Sequence, residues 1–328
     1  MAALTSLWVL LLALQTAGNL QPGSGPLQGV FESRLMARVA GQPDLRGMAL
    51  SMTDDPALRA WLNGRTVPEH LLPQGLSQEG RWRVLALGGM LGFNALAGVV
   101  TWLAWLVPRP GAPPEGPEAP PLEHAWVLFV VWQLLYGLLA PVVAHELRPL
   151  GPIPSTAVTT LGFYFAGLWL LRPLLPRVSL HAERAAAALP TFWAAGPAVL
   201  LASLLTGWML GGSPASRNAA LGLFLDAGSA GLVQLALLVV VAGPIFEEVL
   251  FRGVLFGALR GRMGPVPAAL VSSVAFASVH ADPAGFLPYM ALGLLFTRVY
   301  QRTRSLAACC LAHALWNAQT FLMIALVL

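Results

Sequence analysis

The sequence predicts an all-α protein, a polytopic bundle of about eight or nine transmembrane helices enclosing a polar chamber. Composition is the first ground. The chain is 56% hydrophobic and 10% charged, with a mean hydropathy of +0.68, a balance that a water-soluble domain of 328 residues could not cover with polar surface. The second ground is the recurrence of apolar runs of membrane length, and the third is a set of ionisable groups placed inside the most apolar third of the chain.

Taken in order, residues 4–17 (LTSLWVLLLALQTA) are short for a span and lack a basic n-region, so 1–20 is expected to be a first helix or signal anchor rather than a cleaved leader. Residues 21–83 turn polar and Pro/Gly-punctuated, with seven Arg and six acidic residues. They predict a small soluble or membrane-surface segment with short amphipathic helices at Phe31–Val39 and Pro56–Leu62. An extra transmembrane helix at about 84–107 and a stiff Pro-rich linker, PRPGAPPEGPEAPP, complete residues 84–123. The helix bundle proper is expected over 124–328, with spans at about 124–145, 154–172, 190–211, 229–259, 265–280, 284–300 and 305–327.

The net charge of +4 comes from Arg, because the chain contains no Lys. Arg172, Arg177 and Arg184, then Arg260 and Arg262, then Arg298, Arg302 and Arg304 fall in alternate loops, which places 173–189, 260–264 and 300–305 in the cytoplasm. The basic excess is thus a topology signal and speaks against a nucleic-acid partner. The Arg/Ala/Gly/Pro/Leu vocabulary points to a GC-rich bacterial genome and a multi-pass protein of the bacterial cytoplasmic (inner) membrane, with the lipid bilayer as its solvent. Trp82, Trp102, Trp105 and Trp126 near span ends suit interfacial anchors. Cys309 and Cys310 are adjacent, which suits helix packing and not a disulfide framework or a spaced metal site.

The chemistry lies in three short motifs. The run 229–259 would extend roughly 46 Å as a helix and carries Pro244, which removes a backbone bond three residues before Glu247 and predicts a local opening there. Glu248 and Arg252 are four apart and share a helix face, the spacing of an ion pair, whereas Glu247 lies about 100° around the axis and need not share that partner. A desolvated free carboxylate is suited to general base or acid work. Phe276 and His280 are also four apart, as are His313 and Asn317. Glu247 and His280 could together activate a water, with His313 and Asn317 donating hydrogen bonds to the oxyanion of a tetrahedral intermediate.

These three motifs, Glu247-Glu248-x-x-x-Arg252, Phe276-x-x-x-His280 and His313-x-x-x-Asn317, resemble those of the CPBP intramembrane proteases. That group includes type II CAAX prenyl endopeptidases and bacteriocin-processing and immunity proteins. The resemblance covers about residues 190–328 and implies a hydrolase, an intramembrane endopeptidase acting on a membrane-associated peptide or protein. By matching positions it implies Glu247 as general base, His280 as its partner on the water, and His313 with Asn317 as oxyanion stabilisers. Glu248, Arg252 and Phe276 would support them.

Relatives have been described both as zinc-dependent and as metal-free. Glu247, His280 and His313 would supply three ligands for zinc, leaving a fourth position for water, although no HExxH helix is present; the metal-free glutamate assignment is preferred. The chain runs eleven residues past Asn317, without the further span of some prenyl-protein proteases, which favours a peptide or membrane-protein substrate over a prenylated one. Two rivals use the same residues. A non-catalytic scaffold or regulator would employ the acids and histidines to hold helices together, and a proton-coupled transporter would use them as a relay. The transporter should show duplicated halves, yet all the polar clusters lie in the carboxyl-terminal third.

Overall fold

The computed structural model describes residues 3–10, 12, 78–106, 118–209, 223–224 and 227–327. Among these it is helical throughout, with no strand. Of the expected surface segment 21–83, residues 21–77 lie outside the described residues, as does most of the Pro-rich linker, 108–117, while 78–83 form the start of a long helix. The chain divides into two compact units, Met1–Gln21 with Asn94–Gln319, and Pro22–Phe93 with Thr320–Leu328. All seven residues of the three motifs belong to the first.

Eight principal helices follow one another: α1 (Gln78–Leu106), α2 (Leu122–Glu146), α3 (Pro152–Leu171), α4 (Ala188–Met209), α5 (Ser229–Met263), α6 (Pro265–Ser278), α7 (Phe286–Thr303) and α8 (Leu306–Val327). Among the described residues six helices are long and apolar enough to cross a membrane: α1, α2, α3, α4 with the turn preceding it, α5 and α8. Only 17% to 33% of each such span is buried inside the protein. Phe165, Trp169, Leu204, Trp208 and Val233 instead stand on the surface, where a bilayer and not water is the compatible solvent.

Of the eight or nine spans expected from the sequence, those at 265–280 and 284–300 fall outside these six. With 14 residues α6 reaches only about 21 Å, short of a ~30 Å hydrocarbon core, and α7 carries Arg298 and Arg302 in its final turns. These two helices pack as a hairpin closed by residues 279–285. Gly293 permits their close approach, since a Cβ there would lie 2.9 Å from that of Ser273.

Gly-Pro pairs set two of the reversals. Gly151 (φ 96°) precedes Pro152 at the start of α3, and Gly264 (φ 83°) separates α5 from Pro265 of α6. Glycine takes the backbone region closed to other residues, and proline then begins a helix at a position whose N–H would have no partner. At the cytoplasmic Arg cluster predicted above, Leu306 and Ala307 N–H donate to Ser179 and Leu180 carbonyls, and Ser305 Oγ donates to Leu180 and His181 carbonyls. The loop before α4 thereby satisfies the first donors of α8.

Inside lipid the association of helices rests on packing, because the tails are as apolar as the side chains. The interior is accordingly dense in rings: Phe129, Phe246, Phe251, Phe256, Phe276 and Phe296 are all fully buried. The amino-terminal helical segment joins this core, with Trp8 edge-on to Trp126 and Phe129, and Trp126 Nε1 donating to Thr5 Oγ1 at 2.8 Å. Gly167 of α3 lies against Phe246 and Trp132, and a Cβ there would come within 2.5 Å of both. Gly167→Ala is expected to destabilise the protein by about 1–3 kcal/mol through overpacking, read as a lower thermal midpoint in detergent. An unchanged midpoint would mean that the rings have room to move.

Candidate active site

Around the acidic pair α5 departs from regular α geometry. Leu237–Ala242 and Val249–Phe256 adopt the wider π register, and between them Gly243–Glu248 is a short α-helical block. In the first widened turn Gly243 N–H donates to Leu238 O, so the next carbonyl, Val239, would look to residue 244. That residue is Pro244, which has no N–H. Asn317 Nδ2 donates to Val239 O at 2.9 Å and fills the gap. The opening that Pro244 predicts is present as a change of helical register, a deformation common at functional sites.

The two glutamates differ in surroundings. Glu248 is fully buried, and its Oε1 accepts from Arg252 Nη1 at 2.9 Å and from His313 Nδ1 at 2.8 Å. Arg252, 1% exposed, also donates through Nη2 to Gly293 O at 3.3 Å, and its guanidinium lies 4.5 Å from the Phe276 ring centre and 5.2 Å from that of Phe296. The charge thus trades water for a carboxylate, a carbonyl and two π faces. Glu247 keeps 23% side-chain exposure; its Oε2 stands 3.9 Å from His313 Nε2 and has no hydrogen-bond partner among the described residues.

His313 therefore lies between two carboxylates, one at each ring nitrogen, and stacks on Phe296 at 4.7 Å. Nδ1–H must donate to Glu248, which turns Nε2 toward Glu247. His280 sits just beyond the end of α6. Its Nδ1 faces Phe276 O at 2.7 Å, which requires Nδ1–H to donate and leaves Nε2 as the acceptor of the neutral ring. Tyr289 stacks on this ring at 4.1 Å, and Glu247, His313 and Asp282 are within electrostatic reach.

The structure thus brings Glu247, Glu248, Arg252, His280 and His313 into one cluster, with Phe276 serving twice, as a ring over Arg252 and as a carbonyl for His280. Asn317, one turn beyond His313, is tied by one amide N–H to the α5 backbone. Several participants carried no sequence signal. Phe296 and Tyr289 read as ordinary packing residues, as did Tyr164, whose ring stacks on Phe246 at 4.6 Å. Tyr164 Oη and Glu247 Oε1 would lie 3.6 and 3.7 Å from a Cβ built on Gly243, so a glycine keeps the space between them open.

Among the described residues no three His, Cys, Asp or Glu side chains group with metal-holding geometry. Nδ1 of each histidine bonds an oxygen acceptor, which leaves Nε2 of each ring for other partners.

Fold and site together define a class: a polytopic helical membrane protein with an acid, histidine and arginine cluster buried within its bundle. Residues 229–319 match the family model described as type II CAAX prenyl endopeptidase Rce1-like, in agreement with the resemblance carried by the three motifs. Over 84 residues the chain is 42% identical to YdiL of Bacillus subtilis, named by inference a membrane peptidase. Over another 84-residue alignment it is 37% identical to the membrane-embedded CAAX protease MroQ of Staphylococcus aureus, and over 75 residues it is 35% identical to the UPF0177 protein YxdF of Lactococcus lactis. These matches take in 26%, 24% and 23% of this chain and span 34%, 34% and 41% of the relatives' lengths. No solved structure matches the chain.

Proposed function

We propose that this protein is a CAAX-protease-like endopeptidase of the bacterial cytoplasmic membrane, which hydrolyses a peptide bond of a membrane-associated substrate with water activated by Glu247. The observation that carries the reading is the unequal environment of the acidic pair: Glu248 is fully buried with its Oε1 held by both Arg252 and His313, while Glu247 keeps 23% side-chain exposure and comes no closer than 3.9 Å to His313. A carboxylate already committed to two donors is a poor base, and a free one in a desolvated setting is a good one.

In this mechanism Glu247 and the neutral Nε2 of His280 orient the attacking water, and Glu247 takes its proton as the oxygen adds to the scissile carbonyl. The oxyanion is stabilised by a proton carried on Nε2 of His313, whose ring Glu248 holds in place, and by the second amide N–H of Asn317. Protonated Glu247 then delivers its proton to the leaving amine as the tetrahedral intermediate collapses. The similarity to proteins named a membrane peptidase and a CAAX protease supports the reaction class.

The test compares carboxyl termini in membranes holding the intact protein with those holding Glu247→Gln or His280→Ala, by quantitative proteomics. Termini present only with the intact protein are expected, and identical termini in all three samples would refute peptidase activity. In the metal-free glutamate mechanism the cleavage survives a zinc chelator; its loss, restored by added zinc, would reassign Glu247 and the histidines as ligands.

A further inference from the structure

His280 stands without the support of a regular helix. α6 ends at Ser278, His280 follows in a turn, and the backbone reverses at Ala281 with φ 49°. A histidine χ2 has no deep staggered wells, because it joins a tetrahedral carbon to a planar one. The bond from Nδ1–H to Phe276 O at 2.7 Å selects which edge of the imidazole points back at α6. It leaves the tilt of the ring plane to be set by something else.

That plane is met by α7. Tyr289 lies face to face with the imidazole, ring centres 4.1 Å apart and planes within 19°, and Phe276 meets it edge-on at 5.0 Å. Turning χ2 would drive the imidazole edge into the tyrosine face. The same device recurs along the helix: Phe296, seven residues on and within about 20° of Tyr289 around the axis, stacks on His313 at 4.7 Å and 22°. Phe276 is edge-on to this second imidazole too, at 5.9 Å. One face of α7 thus lays a flat ring on each histidine, although the histidines come from different elements.

The tyrosine ring is itself seated. Gly285 lies one turn before Tyr289, and a Cβ there would overlap Tyr289 Cε2 and stand 2.6 Å from Asp282 Oδ2. The absent side chain makes room for the ring, and Asp282 Oδ1 accepts from Ala284 N–H at 3.1 Å to hold the turn.

We infer that Tyr289 is a positioning residue for the hydrolysis, its ring face holding the His280 imidazole so that Nε2 addresses the water beside Glu247. This role rests on the endopeptidase proposed above.

The test follows cleavage of a peptide spanning a terminus found by the proteomic comparison, with the full chain in lipid nanodiscs. Tyr289→Leu keeps an apolar side chain without a flat face, and kcat should fall about 10–100-fold with KM little changed, the cost of a misplaced acid–base group. Tyr289→Phe keeps the face and should recover most of that loss. Gly285→Ala leaves the tyrosine but crowds its ring, and should lower kcat in the same way. Combined with Tyr289→Leu it should bring no further loss, since both act through one contact. In 15N-histidine-labelled protein without substrate, the Nδ1–H resonance missing from His280→Ala marks this ring. It should persist in Tyr289→Phe and broaden or exchange away in Tyr289→Leu.

A parental kcat or an unchanged resonance in Tyr289→Leu would overturn the role, as would a rise in KM alone. A fall in Tyr289→Phe as deep as in Tyr289→Leu would overturn it too, by assigning the effect to the hydroxyl. If Tyr289→Leu does not fold, Gly285→Ala carries the same readouts. If the catalytic reading itself is wrong, His280→Ala cleaves like the parent, and the resonance still reports whether Tyr289 holds the ring.

Discussion

Glu247→Gln is expected to lower peptide-bond cleavage by about three orders of magnitude while the protein remains folded. Loss of a positioned general base costs about 10²–10⁴ in rate, and an amide of the same shape cannot take a proton from water. The fold should tolerate the change because Glu247 is 23% exposed and its Oε2 has no hydrogen-bond partner to lose. Cleavage of a substrate found by terminal proteomics, followed alongside thermal unfolding of the same preparation, separates the two effects. A Glu247→Gln protein that still cleaves at near the parental rate would show that the base lies elsewhere, and Glu248 would be the next acid to test.

The opposite pattern is expected at Arg252. Arg252→Met removes the cation that faces fully buried Glu248, leaving a carboxylate with only His313 as its partner. Breaking one side of a buried pair costs about 3–5 kcal/mol, most of it the penalty of the charge left behind. A large fall in thermal midpoint is expected, and the double variant Arg252→Met with Glu248→Gln should recover part of it because the orphaned charge is also gone. If the single variant melts like the parent, the ion pair contributes little and the rings of Phe276 and Phe296 hold the helices without it. The contrast between neighbouring glutamates is therefore a sharp test: one substitution should erase activity at constant stability, the other should erode stability first.

Much of the architecture was legible in local pattern. A transmembrane helix announces itself by about 20 apolar residues in a row, since every backbone group must be satisfied within the segment, and α2, α3, α4, α5 and α8 all lie close to where the apolar runs put them. The spacing of Glu248 and Arg252 likewise foretold their bond, because residues four apart on a helix are neighbours whatever surrounds them. Hydropathy was less informative over α6 and α7. It registers apolar content and not where a chain turns, so the early end of α6 at Ser278 and the placement of His280 in a turn escaped it.

The sequence by itself determined that this is a helical membrane protein with ionisable groups in its interior, because composition and short-range periodicity are properties of neighbouring residues. Only the tertiary structure decided which glutamate His313 Nδ1 bonds. His313 reaches Glu248 across 65 positions of chain and Asn317 reaches the Val239 carbonyl across 78, and no local pattern encodes either contact.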